Sequence, residues 1–172
     1  VAPQPGMAVL DMCSAPGGKT THLAQLMQNQ GSITACDVHE HKLQLIAENA
    51  QRLGISIIKP TLNDGTVLRQ EWLGQFDRVL VDVPCSGMGV LRRRAEARWR
   101  KQRQDLKLFP PLQLEILQNA AQYVKAGGRL VYSTCTIEQA ENHYLTEEFL
   151  EKNPSWHRVP FAHPLTGEMV EE

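Results

Sequence analysis

Apolar residues along this chain fall into two alternating kinds of stretch. Short runs at residues 7–10, 32–36, 55–59, 78–83 and 129–133 predict strands. Several are apolar almost without a polar break, as strands covered on both faces are. Between them the apolar positions change to helical spacing. Leu43, Ile46, Ala47, Ala50 and Leu53 trace one helix face, and Gly54 is placed to end it. Leu112, Ile116, Ala120 and Val124 recur every fourth residue up to Gly127 and Gly128. Leu23, Leu26 and Met27 predict a shorter helix that ends near Gly31. Thr136-Ile137-Glu138-Gln139 has the form of a capping box and predicts a helix running to about Lys152.

Strand, helix, strand, repeated, predicts an α/β fold: a doubly wound, mainly parallel, Rossmann-like sheet flanked by helices. Ligands of such sheets bind beyond the carboxyl ends of the strands. Residues 156–159 read as a sixth strand. Residues 161–172 show no apolar run for a seventh, so the sheet is expected to lack its last strand.

The loop after the first strand reads Asp11-Met12-Cys13-Ser14-Ala15-Pro16-Gly17-Gly18-Lys19-Thr20. Its Gly-Lys-Thr ending suggests a phosphate loop, but the required first glycine would fall at Cys13, and Pro16 removes an amide donor. What remains is a glycine turn opening a helix, suited to an anionic or carboxylate group. The second strand ends at Asp37, about twenty residues past the glycine turn, where doubly wound folds grip ribose hydroxyls; capping of the next helix is the plainer use. Asn63-Asp64-Gly65 is by itself an ordinary turn signal. With no Gly-x-Gly-x-x-Gly present, a dinucleotide is disfavoured. A nucleoside with an amino-acid tail, such as S-adenosylmethionine, fits one glycine turn and one ribose acid.

The fourth strand ends in Asp82-Val83-Pro84-Cys85-Ser86-Gly87, and the fifth in Ser133-Thr134-Cys135-Thr136. Two cysteines on adjacent strand ends of the ligand edge point to chemistry. The predicted helix start after Cys135 would favour its thiolate.

Bulk properties narrow the choices. The 172 residues, 42% hydrophobic, suit one compact domain. The net charge of -1 gives no global basic field. A local one exists, because Arg92, Arg93, Arg94, Arg98, Arg100, Lys101 and Arg103 place seven cations within twelve residues, opposed only by Glu96. No stretch approaches the roughly 18 apolar residues of a membrane span. The four cysteines form no Cys-x-x-Cys pair, the histidines are scattered, and His39-x-His41 is a weak metal signal. A cytoplasmic protein with reduced thiols and no metal is expected. The chain begins at Val1 and is expected to be a fragment of a longer protein.

Together the first-strand loop, the acid of Ala35-Cys36-Asp37, residues 81–90 and Tyr132-Ser133-Thr134-Cys135-Thr136 resemble the catalytic domain of RNA 5-methylcytosine methyltransferases. The similarity is greatest to the bacterial type acting on small-subunit ribosomal RNA, and it runs from about Met7 to Leu150. The resemblance implies that the whole chain, 1–172, is an S-adenosylmethionine-dependent catalytic domain. It implies that Cys13, Ser14, Ala15, Pro16, Gly17, Gly18 and Lys19 bind the cofactor, with Asp37 at its ribose and Asp64 at its adenine. Asp82 serves both the cofactor site and the chemistry.

Cytosine C5 is too weak a nucleophile to be methylated directly, and a thiolate adding at C6 activates it. DNA cytosine methyltransferases attack with a Pro-Cys cysteine, which would name Cys85. The RNA family attacks with the Thr-Cys cysteine, which names Cys135, leaves Cys85 to assist product release and gives Asp82 a proton role near ring N3. The target base must leave its stack, and Arg92, Arg93, Arg94, Arg98 and Arg100 would hold RNA phosphates beside the site, with Trp99 to stack or pack. Val83 stands where many members have alanine, and Ala95-Glu96 where they have proline-aspartate. Transfer RNA as substrate, or a non-catalytic RNA-binding subunit, are the alternatives. Relatives also carry an upstream RNA-binding region that is not evident here.

Overall fold

The computed structural model describes residues 1–93, 99, 105–162 and 166–170. Its centre is a five-stranded parallel sheet of order β3-β2-β1-β4-β5. The strands are β1 (Ala8–Asp11), β2 (Ser32–Asp37), β3 (Ile58–Leu62), β4 (Phe76–Asp82) and β5 (Val124–Ser133). The helices are α1 (Gly18–Leu26), α2 (Glu40–Arg52), α3 (Asp105–Gln122) and α4 (His143–Lys152). After β3 the chain crosses over β2 and β1 to place β4 on the far side of β1. The order therefore reverses between β1 and β4, where a ligand crevice forms in such folds.

The apolar runs are continuous because the sheet has two cores. Val9, Ile33 and Leu80 point to one face and pack with Leu23, Ala24 and Met27. Their neighbours Leu10, Val79 and Val81 point to the other and pack with Ile116, Ala120 and Tyr123. Alternation thus exchanges one buried face for another instead of core for water. Beyond β5, Leu117 and Ala121 of α3 meet Leu145 and Phe149 of α4. Pro60 lies in β3, an edge strand, where a missing ladder donor is tolerated.

Several elements differ from the sequence expectation. The helix through Leu112 and Ile116 ends at Gln122, and Val124 already opens β5. Gly127 and Gly128 do not stop a helix; they form a bulge inside the strand, where the register slips between Phe76 and Arg78. Glycine is required at 128, since a Cβ there would stand 2.9 Å from the Lys125 carbonyl. The third strand begins at Ile58 because the Asn29 side chain takes the Ser56 amide at 2.9 Å.

Residues 156–159 are not a strand. Trp156 packs edge-on against Phe149 at 6.0 Å, so its apolar character serves the α4 core. Strands do occur in the segment that shows no apolar run: β6 (Phe161–Ala162) and β7 (Met169–Val170) pair antiparallel. They form a separate two-stranded sheet, and the main sheet stays at five.

The helix expected from Thr136 begins only at His143, after a single 3-10 turn at Gln139–Glu141. The Thr136 hydroxyl is used elsewhere: it bonds Ser86 Oγ at 2.7 Å and accepts the Glu138 amide at 3.2 Å. Asn142 stitches the rest, donating to the carbonyls of Thr136 and Glu138. Among the described residues no helix is long and apolar enough to cross a membrane.

Candidate functional site

The loop between β1 and α1 turns tightly back on itself. Ser14 is buried, and both its amide and its hydroxyl donate to the Cys36 carbonyl, at 2.7 and 2.8 Å. The Ala15–Pro16 peptide is cis. Gly17 has φ 101° and donates its amide to Ser14 O at 2.7 Å. A Cβ at Gly17 would stand 3.3 Å from the Ile46 backbone, so glycine lets the loop pass close over α2. Among the described residues no side chain caps the α1 amino terminus. Its first amides are thus left for a ligand, and open space surrounds Gly18.

Three acids stand at this edge. Asp37 is buried at the end of β2 and accepts the His39 amide at 2.9 Å, with Lys42 Nζ at 3.8 Å. The capping use of Asp37 is therefore present. Asp64 accepts both the amide and the hydroxyl of Thr66, at 2.9 and 2.7 Å, and these bonds lower its pKa. Its turn use is present too. Asp82, the last residue of β4, is held from both sides: Lys19 Nζ lies at 2.5 Å from Oδ2, and Ser133 Oγ donates to Oδ1 at 2.7 Å. Lys19 thus joins the glycine loop to the fourth strand end.

Asp11, which the sequence reading did not single out, is buried beneath this loop. Burial pushes its carboxyl up to about 6, against a hydrogen bond from Thr20. Its Oδ1 is buried with no partner, as is Asn63 Nδ2. The free α1 amides and the β2 acid fit a ligand bearing an amino acid and a nucleoside.

The two loop cysteines meet. Cys85 Sγ and Cys135 Sγ are 3.1 Å apart, and the Cys135 amide donates to Cys85 Sγ at 3.3 Å. Both are free thiols, Cys135 exposed and Cys85 partly buried. Burial, then the contact with Cys135, pushes the Cys85 thiol up to about 11. The parallel register sets Asp82 opposite Ser133, two residues before Cys135. Cys135 does not sit at a helix start, because the residues after it form the Thr136 turn; the helix-potential reason for its reactivity falls away.

Sequence reasoning missed the residues that join these loops. Gly89 donates its amide to Cys135 O at 3.1 Å, and a Cβ there would be 2.9 Å from that oxygen. Glu141 and Gln113 are wholly buried beneath Cys85. The repeated glycines of Cys85-Ser86-Gly87-Met88-Gly89 carried a signal for Gly89; nothing local marked Glu141. Arg92 and Arg93 are exposed beyond the turn Met88–Val90, and Trp99 is 86% exposed. Arg94, Arg98 and Arg100 lie outside the described residues.

A five-stranded parallel sheet reversing at β1 and β4, with a glycine turn and strand-end acids, defines a Rossmann-like fold of the S-adenosylmethionine-dependent methyltransferase class. Solved structures share it. The crystal structure of PH0851 superposes with a TM-score of 0.92 at 38% identity, covering 99% of this chain and 39% of that one. NSun6 from Pyrococcus horikoshii, solved with SFG, gives a TM-score of 0.77 at 33% identity, covering 87% of this chain and 38% of that one. The family model "16S rRNA methyltransferase RsmB/F" matches residues 1–170, and the chain belongs to that family. The "Probable ribosomal RNA small subunit methyltransferase B" of Bacillus subtilis is 45% identical over 158 residues, which is 90% of this chain and 35% of the relative. The protein of the same name from Synechocystis is 46% identical over 160 residues, 92% of this chain and 36% of the relative. The chain thus spans about a third of the length of these curated relatives.

Proposed function

We propose that residues 1–172 are a catalytic domain that methylates C5 of a cytosine in small-subunit ribosomal RNA. The methyl donor is S-adenosylmethionine, which supplies an electrophilic methyl on its sulfonium. The loop from Cys13 to Lys19 and the open α1 amides hold its amino-acid end, Asp37 its ribose and Asp64 its adenine. The observation that carries the reading is the contact of two free thiols, 3.1 Å apart, beside Asp82 at adjacent strand ends.

Cys135 is the nucleophile. Its sulfur forms a bond to cytosine C6, and the ring electrons displaced toward C5 make that carbon nucleophilic. Cys85 supports this assignment. With its pKa pushed up to about 11, it keeps its proton at neutral pH and is poorly suited to attack the ring itself. Asp82 holds or shares the proton at ring N3 as charge develops there. After methylation, the C5 proton passes to a base, the C6–sulfur bond breaks, and the Cys135 thiolate is restored. Cys85 assists this release. Arg92 and Arg93 neutralise RNA phosphates, and Arg94, Arg98 and Arg100 of the same sequence run share that role.

The test uses the intact protein, labelled S-adenosylmethionine and ribosomal RNA. Cys135→Ala is expected to abolish methyl transfer and form no covalent RNA complex. Cys85→Ala is expected to accumulate an RNA–protein adduct stable to denaturing gels. The reverse pattern exchanges the roles of the two cysteines, and no transfer by the wild-type protein overturns the reading.

A further inference from the structure

Cys85 and Cys135 belong to loops 50 residues apart in sequence. Two contacts at the rim join those loops beyond the sulfurs: Gly89 to the Cys135 carbonyl, and Ser86 Oγ to Thr136 Oγ1. Beneath them lies a buried clasp. Glu141, fully buried, accepts the Ser86 amide at 2.9 Å and Gln113 Nε2 at 2.8 Å on its Oε2. Gln113 also donates to the Pro84 carbonyl at 2.9 Å. The residues on either side of Cys85 are therefore gripped by one pair of side chains. Tyr132 ties the clasp to β5 by donating to the Glu141 carbonyl at 2.7 Å.

Glu141 Oε1 is buried without a partner, and among the described residues no ion pair neutralises the group. A buried carboxyl in that state is a cost to stability, which an apolar side chain would avoid. What it gives in return is geometry. Only an acceptor with more than one lone pair can take the Ser86 amide and the Gln113 carboxamide together.

We propose that Glu141, acting with Gln113, is a positioning residue that sets the Cys85 sulfur against Cys135. This rests on the function proposed above. Glu141→Leu keeps most of the volume but removes the acceptor of both the Ser86 amide and the Gln113 carboxamide.

The first readout is the rate at which diamide joins Cys85 and Cys135 in the intact protein. Diamide takes two protons and two electrons from the thiols and becomes the hydrazine, while the sulfurs form a disulfide. That rate needs neither RNA nor methyl transfer. The second readout is kcat with ribosomal RNA, alongside the Kd of S-adenosylmethionine. In Glu141→Leu the disulfide is expected to form about tenfold more slowly and kcat to fall about 100-fold, the scale of an ångström's misplacement. The Kd should stay within about twofold, because the clasp does not touch the glycine loop.

Gln113→Ala cuts the clasp from the other side and should show the same pair of losses, which covers a Glu141 variant that fails to fold. Unchanged disulfide and methylation rates in the folded variants, or a loss of melting temperature alone, would overturn the positioning role. A slowed disulfide in the variants with no methyl transfer by the wild-type protein would keep the clasp and overturn the proposed function.

Discussion

The chain holds two pairs of cysteines at its ligand edge, and they have opposite fates. Cys13 and Cys36 follow or end β1 and β2; Cys85 and Cys135 follow β4 and β5. Burial pushes the Cys13 thiol up to about 12, helped by the carboxylates of Asp11, Asp37 and Asp82. Burial raises Cys36 as well, with Asp11 next in effect. Both belong to the packing around the sheet. Cys135 is exposed, and Cys85 faces it. Exposure at the strand end therefore separates Cys135 from the less accessible Cys13 and Cys36, and sequence position after a strand does not. The acids that serve the glycine-loop side also suppress the thiols among them.

The largest test of this contrast is selective alkylation. At pH 8 a thiol with a pKa of about 12 is ionised in roughly one molecule in ten thousand. Iodoacetamide on the native protein, followed by peptide mass spectrometry, should label exposed Cys135 far faster than Cys13 or Cys36, whose burial holds them protonated. Comparable rates at all positions would erase the contrast.

Gly89→Ala tests the geometry of the reactive pair. Its methyl group would press on the Cys135 carbonyl at 2.9 Å, so that loop must move. Methyl transfer should fall about 10- to 100-fold, with Cys13 labelling unchanged. A fully active variant would show that the two loops need no fixed separation.

A last test concerns Asp11, the acid closest in influence to the suppressed pair. Its folded pKa of about 6 lies above the unfolded value of 3.8. The native state thus binds this proton more tightly. Its contribution is present below about pH 4 and is lost as pH rises through 6, on the order of 3 kcal/mol in all. Urea unfolding at pH 4 and pH 8 should show Asp11→Asn losing less stability than wild type over that interval. Cys13 should also label somewhat faster in the variant. A parallel pH dependence in the two proteins would mean that Asp11 stays ionised throughout.

Much of this arrangement was legible in the chain. The apolar runs located all five main strands within a few residues, and the strand ends carried Asp37, Asp82, Cys85 and Cys135. The failures share a cause: local pattern was overridden by contacts far away in sequence. Thr136 and Gln139 match a capping box, yet the Thr136 hydroxyl bonds Ser86, 50 residues earlier. Glu141, in a polar stretch, reads as a solvated helix position, but it is buried by partners 28 and 55 residues away. Trp156 reads as strand because β-propensity reflects half-buried packing, which a helix supplies here instead. Asp64 reads as a turn residue, and its turn bonds are real; its adenine role comes from the resemblance alone.

The span between the two sulfurs has a consequence for biosynthesis. β4 and the Cys85 loop emerge well before β5, the Cys135 loop and Glu141. A ribosome releasing this chain exposes a lone thiol first, and the second arrives only with the last parallel strand. A half-made copy therefore lacks the facing pair of sulfurs, which is complete only once β5 and the loop after it have formed.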